Sequence, residues 1–155
     1  MDTQTQPNVR AERLRLLALS QSSVLETFLD RLNQTHPLPS WTLVRGPECG
    51  LVMVRGRVGG QGQAFNAGEA LVTRACVQMD ANLGCGYVLG EEPRHAELVA
   101  VLDALWQKET FAGLLDAELL PDLVARLQAR YEDDRRKSAA TKVDFFTMVR
   151  GEDKD

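Results

Sequence analysis

Apolar residues in the first part of the chain recur every three or four positions, which is the spacing of amphipathic helices. The pattern predicts one helix from Asn8, as its N-cap, to about Ser20. A second helix is predicted to begin with a capping box of Ser23 and Glu26. It ends before the proline-containing segment 36–39. The N-terminal region is therefore expected to form a helical pair.

Helical spacing returns after Gly90. Pro93 suits the first turn of a helix. In the helix predicted after it, one side carries a mainly apolar stripe: His95, Leu98, Val99, Leu102 and Trp106. Another helix is predicted to begin near Pro121 and to end in the charged segment 132–137.

The middle of the chain has the two-residue period of β-strands. The predicted strands and extended pieces cover 41–45, 51–58, a short piece through Phe65, 69–79 and 87–89, with a turn over 81–84. Short connections favour antiparallel pairing. Within 69–79 the odd positions are the more apolar, as in a strand buried on one side. We therefore predict the α+β class: one domain over 1–155, a mainly antiparallel sheet flanked by helices, and an apolar C-terminal segment.

Charge and composition narrow the classes of function. The net charge of −4 argues against a nucleic-acid binder. No apolar run approaches the roughly 20 residues that cross a bilayer, and the polar residues 1–8 are expected to be flexible and do not resemble a secretion signal. We therefore expect a cytoplasmic protein that binds no membrane. The cysteines Cys49, Cys76 and Cys85 are odd in number and form no C-x-x-C pair, which predicts reduced thiols rather than a disulfide or a metal site.

The glycine cluster 59–62 has two interpretations. A phosphate-binding loop would lead into a helix and carry a Lys-Ser or Lys-Thr pair. Neither feature follows here, so the cluster favours a hairpin turn.

His95-Ala96-Glu97 matches the H-x-E element of zinc deaminases. Those enzymes complete the metal site with a later Pro-Cys-x-x-Cys, and no cysteine follows Cys85, so no zinc site is predicted. Two roles stay open for His95: a hydrogen-bonded packing residue on the apolar stripe, or an acid/base acting with Glu97. Two roles also stay open for Arg57 and Arg74. They either bind a phosphate or phosphonate anion or face outward and form ion pairs with glutamates.

The tail 142–155 contains an apolar run over 143–149. It is either a last edge strand of the domain or a segment that pairs with another chain. In the second case Phe145, Phe146 and Met148 are the candidate partner-binding residues.

Three segments together resemble the PhnG family of the bacterial carbon–phosphorus lyase system. They are Phe65 to Ala75, Leu83 to Leu105, and the tail segment Val143 to Gly151, which is the most specific. One departure is that Gly90-Glu91-Glu92-Pro93-Arg94 stands where the family often has Gly-Arg-Asp.

The resemblance implies a subunit of a core complex with PhnH, PhnI and PhnJ, two copies of each, and with PhnK and PhnL associated. With PhnH, PhnI and PhnL, such a subunit supports conversion of MgATP and an alkylphosphonate into ribose 1-alkylphosphonate 5-triphosphate and adenine. An iron–sulfur cluster and S-adenosylmethionine belong to the PhnJ-type partner, and this chain is expected to bind no cofactor of its own. Its role is then structural, or catalytic through His95, Glu97, Arg57 and Arg74, or that of a free-standing anion-binding module.

Overall fold

A computed structural model of the protein describes residues 9–141. Its helices are α1 (Val9–Leu19), α2 (Ser22–Thr35), α3 (Pro93–Trp106), α4 (Glu109–Leu114) and α5 (Leu120–Ala140), with a π-helical turn over Leu115–Leu119. Its strands are β1 (Thr42–Arg57), β2 (Ala64–Met79) and β3 (Asn82–Leu89). The predicted α+β class, with an N-terminal helical pair and an antiparallel sheet, is confirmed.

The three strands form an antiparallel sheet in the order β1-β2-β3. The pieces predicted separately over 41–45 and 51–58 are one strand, because β1 continues through Gly46-Pro47 by means of two irregularities in its pairing with β2. The turn predicted over 81–84 is shorter, since β3 already begins at Asn82. The glycine cluster is the hairpin turn between β1 and β2, as predicted, with Gly59 at φ 58° and Gly60 at φ 82°.

Helix α3 lies against one face of the sheet, which we call the inner face. Of the odd positions of β2 predicted to face the core, Thr73, Ala75, Val77 and Met79 are fully buried there, whereas Leu71 is 41% exposed. Two glycines of β3 allow the helix to approach closely. A Cβ atom on Gly84 would lie 2.0 Å from the carbonyl oxygen of Ala100, and one on Gly86 would lie 2.2 Å from that of Ala96. Small residues on both elements therefore bring the backbones of β3 and α3 into contact.

The helical side completes the core around α3. Its predicted stripe is buried from His95 to Trp106, and Leu17 of α1, Leu25 of α2 and Leu123 at the start of α5 belong to the same core. The predicted capping box is wrong: Gln21 occupies the N-cap position of α2 and makes no side-chain cap bond. Helix α4 and the π-helical turn were missed because their six and five residues are too short to show a period.

A buried carboxylate ties three elements together at the free edge of β3. Asp103 on α3 is 3% exposed and accepts the backbone N–H of Cys85 at 3.0 Å. Arg10 on α1 donates to both of its oxygens, at 2.9 and 2.7 Å. This hydrogen bonding raises the pKa of Arg10. Asp103 therefore satisfies an edge N–H that β2 does not use and anchors α1 to the sheet.

The cysteines correct the prediction of reduced thiols. Cys76 and Cys85 lie directly opposite each other on β2 and β3, with Cα atoms 4.2 Å apart, and form a disulfide. Cys49 is free and exposed. Sequence spacing did not indicate the pair, because the register of two neighbouring strands brings the two residues together.

Candidate functional site

The outer face of the sheet, opposite α3, carries an arginine–glutamate cluster. Glu48 on β1 faces Arg74 on β2, and its Oε1 atom accepts from Arg74 Nε at 2.6 Å and from Arg45 at 2.5 Å. These two bonds, that of Arg45 first, lower the pKa of Glu48, and the bond to Glu48 raises the pKa of Arg74. Tyr87, opposite Arg74 on β3, adds to the second effect. Arg74 is thus already paired with a carboxylate.

His95 is placed differently. Its side chain is 7% exposed, and Nε2 lies 3.0 Å from the carbonyl oxygen of Leu17 near the end of α1, to which the ring N–H donates. Glu97, two residues on, has Arg94 as its ion-pair partner at 3.6 Å. Arg94 also donates to Glu26 of α2 at 2.8 and 3.0 Å. His95 therefore links α3 to α1, whereas Glu97 pairs within α3 with Arg94, which in turn bonds to α2.

Arg57 lies at the far end of β1, where it donates to the carbonyl oxygen of Gly62 in the hairpin turn at 3.2 Å. By the alternation of the strand its side chain, like that of Arg55, is on the inner-face side, whereas Arg74 is on the outer face. Arg57, Arg74 and His95 consequently do not face a common space.

Cavities of the described residues lie elsewhere. A groove of about 340 Å³ runs between the α1–α2 junction and α5, lined by Leu16, Val24, Leu123 and Leu127 among others. None of the four candidate catalytic or anion-binding residues lines it. Within residues 9–141, no three His, Cys, Asp or Glu side chains lie close enough together to hold a metal ion. In the same part of the chain, no helix is long and apolar enough to cross a bilayer.

The most unusual surface is the distal half of the β1–β2 hairpin, residues 51–71, which we call the arm. Pairing between β2 and β3 ends at Val72–Leu89, so the arm is a ribbon of two strands. Large apolar side chains are exposed on it: Leu51 63%, Val52 42%, Met53 56%, Val54 43%, Val58 65%, Phe65 48% and Leu71 41%. Val52 and Val54 share the outer face, while Leu51 and Met53 occupy the other face. Both faces of the arm are therefore apolar and exposed.

The sequence contained a signal for the arm. Leu51 to Val54 are four consecutive apolar residues, a run typical of a strand that is covered on both faces. No element of the described residues covers either face of this run, since its side chains are all exposed. The candidate docking residues of the tail, Phe145, Phe146 and Met148, lie outside the described residues.

The sequence profile described as "Phosphonate metabolism protein PhnG" matches residues 8–151. The chain belongs to the PhnG family. A PhnG protein of Rhizobium meliloti (strain 1021), named "Alpha-D-ribose 1-methylphosphonate 5-triphosphate synthase subunit PhnG", is 46% identical over 148 residues, which are 93% of this chain and 90% of the relative. The resemblance seen in the motifs is confirmed.

Two of the PhnG-like segments meet in the structure. The first lies in β2 and the second runs through β3 and α3. The hydroxyl of Thr73 joins them: it donates to the carbonyl oxygen of Gly90 at 2.6 Å and accepts the N–H of Glu92 at 2.9 Å, immediately before α3. These motifs therefore hold the packing of α3 on the sheet, and the third segment lies outside the described residues.

Proposed function

We propose that this PhnG-family chain is an assembly subunit of a complex that makes ribose 1-alkylphosphonate 5-triphosphate from MgATP and an alkylphosphonate. The partners are the PhnH-, PhnI- and PhnJ-type subunits, two copies of each, with PhnK and PhnL associated, in the cytoplasm. The name of the relative from Rhizobium meliloti, a synthase subunit, supports membership in such a complex. In this proposal the chain binds no cofactor, and the iron–sulfur cluster and S-adenosylmethionine are held by the PhnJ-type partner.

The exposed apolar arm is the observation that carries the structural role. Soluble monomers rarely expose contiguous apolar patches of more than a few hundred Å², and larger ones mark interaction sites. A ribbon of two strands is also marginally stable in water on its own. An arm with apolar residues on both faces gains stability when another subunit encloses it.

Copurification of the tagged chain with co-expressed PhnH-, PhnI- and PhnJ-type subunits tests this role. Val54→Asp puts a charge on the outer face of the arm, and we expect it to reduce the recovered partners at least tenfold, since burying an unpaired charge is unfavourable. Tyr131→Asp on α5, where the side chain is 47% exposed, is the matched control and leaves recovery unchanged. Equal recovery with both variants would contradict docking through the arm.

Deleting 142–155 tests the tail separately, and its loss is also expected to release the PhnI-type partner.

A direct catalytic contribution is the alternative, and kinetics of the reconstituted complex separates it from assembly. General acid–base catalysis is typically worth about 10²–10⁴ in rate. Because Glu97 and Arg74 already have charged partners in the fold, we expect Glu97→Gln and Arg74→Gln to keep kcat within about threefold of the parent, well below that range. A hundredfold fall in kcat with intact assembly would instead assign them to catalysis. The same kinetic measurement on His95→Gln and Arg57→Gln covers the other two candidate residues.

A further inference from the structure

The geometry points to a specific mode of docking: the open edge of β1 over residues 48–57 receives an extended strand of a partner subunit, which continues the sheet across the subunit boundary. The inference rests on the proposed function, because it specifies how the assembly subunit engages its partner. Three properties of this edge carry it: the direction of its main-chain groups, its lack of protection and its charge.

Hydrogen bonds of β2 and β3 establish which main-chain groups of β1 face outward. Gly90 N–H donates to the carbonyl oxygen of Leu71, so the main chain of Leu71 is directed toward β3. Successive residues of a strand direct these groups to alternate sides, so Val72 is directed toward β1 and bonds with its partner Gly50. The next residue of β1, Leu51, is consequently directed away from β2.

The same alternation continues without a register shift from Glu48 to Val54. The N–H and C=O groups of Cys49, Leu51 and Met53 therefore form a row along the open edge. Among residues 9–141, β2 is the strand that pairs with β1, and the order β1-β2-β3 leaves this row without a strand partner.

Proteins protect such edges from unwanted pairing with prolines, bulges, lysines or inward-pointing charges. The irregularities of β1 and its proline, Pro47, all precede Glu48, and the next shift follows Val54. Between them the pairing is regular and the residues are apolar, with no lysine or proline. An unprotected edge of this kind is a template for a further strand.

Charge identifies the chemistry of the incoming strand. Beyond the apolar residues, Arg55 and Arg57 follow on the same face, and neither has a carboxylate within ion-pair distance among residues 9–141. The strand that fits carries apolar residues opposite Leu51 and Met53 and Asp or Glu opposite the two arginines.

The β1 strand of a second copy does not supply that chemistry. The carboxylate of its β1 is Glu48, which Arg45 and Arg74 already engage. Pairing two copies through β1 would also bring a second Arg55 and a second Arg57 to the same ribbon. Pairing between two β1 strands is therefore unfavourable, which favours a strand of a different subunit as the occupant.

The size of the ribbon agrees with a stable interface. Ten residues of two paired strands are about 33 Å long and about 10 Å wide, so each face presents roughly 300 Å². Two faces and the open edge together approach the about 800 Å² that each partner contributes to an interface of standard size.

A proline at an outward-facing position tests the role of the main chain directly. Leu51→Pro removes an N–H that β2 does not use, so β1–β2 pairing is retained, as for prolines on edge strands. We expect the affinity for the partner subunits to fall at least tenfold. Leu51→Val keeps both the N–H and an apolar side chain. We expect its affinity to stay within about twofold of the parent, well short of the tenfold loss, equivalent to about 1.4 kcal/mol, that is expected of the proline variant. Equal binding by the two variants would overturn strand addition.

Hydrogen exchange of the unmodified chain gives a second measurement that does not depend on folding of the proline variant. In the free chain, the amides of Leu51 and Met53 exchange at least tenfold faster than those of Val52 and Val54. In the copurified complex all four are protected. Unchanged exchange at Leu51 and Met53 in an intact complex would overturn strand addition while leaving the proposed assembly role in place.

Failure of the unmodified chain to copurify would reject the assembly role itself. Protection of these amides in the free chain when its concentration is raised would assign the edge to a second copy.

Discussion

At the scale of single residues, the absence of side chains on β3 decides how closely α3 can pack. Gly84 and Gly86 face Ala100 and Ala96, and the free space at each glycine is smaller than one methyl group. The two nearest obstructing atoms at each glycine are backbone atoms of α3, which cannot turn aside as the end of a flexible side chain does. The motif around Gly86 is therefore a packing requirement of the fold.

Gly86→Ala is expected to lower the free energy of unfolding by about 1–3 kcal/mol or more, as overpacking of a core does. The cause is that the new Cβ would lie 2.2 Å from the carbonyl oxygen of Ala96, so α3 must move. Urea denaturation followed by circular dichroism measures the change. Gly50→Ala is the matched control on β1, where no atom lies within 4 Å of the added Cβ. Equal stability of the two variants would contradict the close packing of α3 on β3.

At the scale of elements, the sheet owes its shape to strand register. Two irregularities let β1 pass through Gly46-Pro47 and remain one strand. The regular pairing of β2 with β3 places Cys76 opposite Cys85. The disulfide thus staples a hairpin whose strands are joined by the short turn at Asp80, a residue with φ 51°.

Thiol counting tests the disulfide. In denaturant without reductant, the chain is expected to show one reactive thiol, that of Cys49, and three after reduction. The bond joins residues nine positions apart in the sequence. Because a cross-link reduces the conformational entropy of the unfolded chain, its reduction should lower the free energy of unfolding by about 2–3 kcal/mol. A Cys76→Ser/Cys85→Ser variant supplies the control, since reductant leaves its stability unchanged. Three reactive thiols before reduction would refute the pairing.

At the scale of the whole molecule, the chain divides into a well-packed body and an exposed arm. The body consists of α3 enclosed between the inner face of the sheet and the other helices. The arm has no buried residue between positions 51 and 71. Its conformation is therefore stabilised by β1–β2 pairing and, in the proposed complex, by a partner.

Limited trypsin digestion is expected to show this division. Cleavage after Arg55 and Arg57 should be among the earliest in the free chain, because a two-stranded ribbon opens locally at low free-energy cost. Both arginines should resist cleavage in the complex with the partner subunits, as mass spectrometry of the fragments will show. Cleavage after Arg126 on the exposed side of α5 is the internal comparison, with equal rates in both forms. Equal rates at the arm in both forms would argue that the arm stays free.

Local patterns predicted much of this architecture. The periods of α1, α2, α3 and α5 and the one-sided burial of β2 follow from residue spacing, because each of these elements is long enough to show its period. The hairpin nature of the 59–62 cluster also followed from its neighbours. Errors occurred at boundaries, such as the start of α2 at Ser22, where no side-chain cap is used.

The candidate residues show where a sequence stops being informative. The arginines and the H-x-E element were recognisable as chemical types, but their partners come from distant parts of the chain: Leu17 for His95 and Glu48 for Arg74. Residue type does not indicate whether an arginine is already neutralised. The catalytic assignment of these residues accordingly stays a prediction.

By itself, the sequence determined the class of the fold, the apolar stripe of α3 and membership in the PhnG family, because period and motif are properties of neighbouring residues. Only the tertiary structure decided that Cys76 meets Cys85, that Asp103 secures the edge of β3 and that the edge of β1 is open. These facts depend on strand order and register, which bring residues far apart in the chain into contact and leave one row of hydrogen-bonding groups on β1 without a partner strand in the described part of the chain.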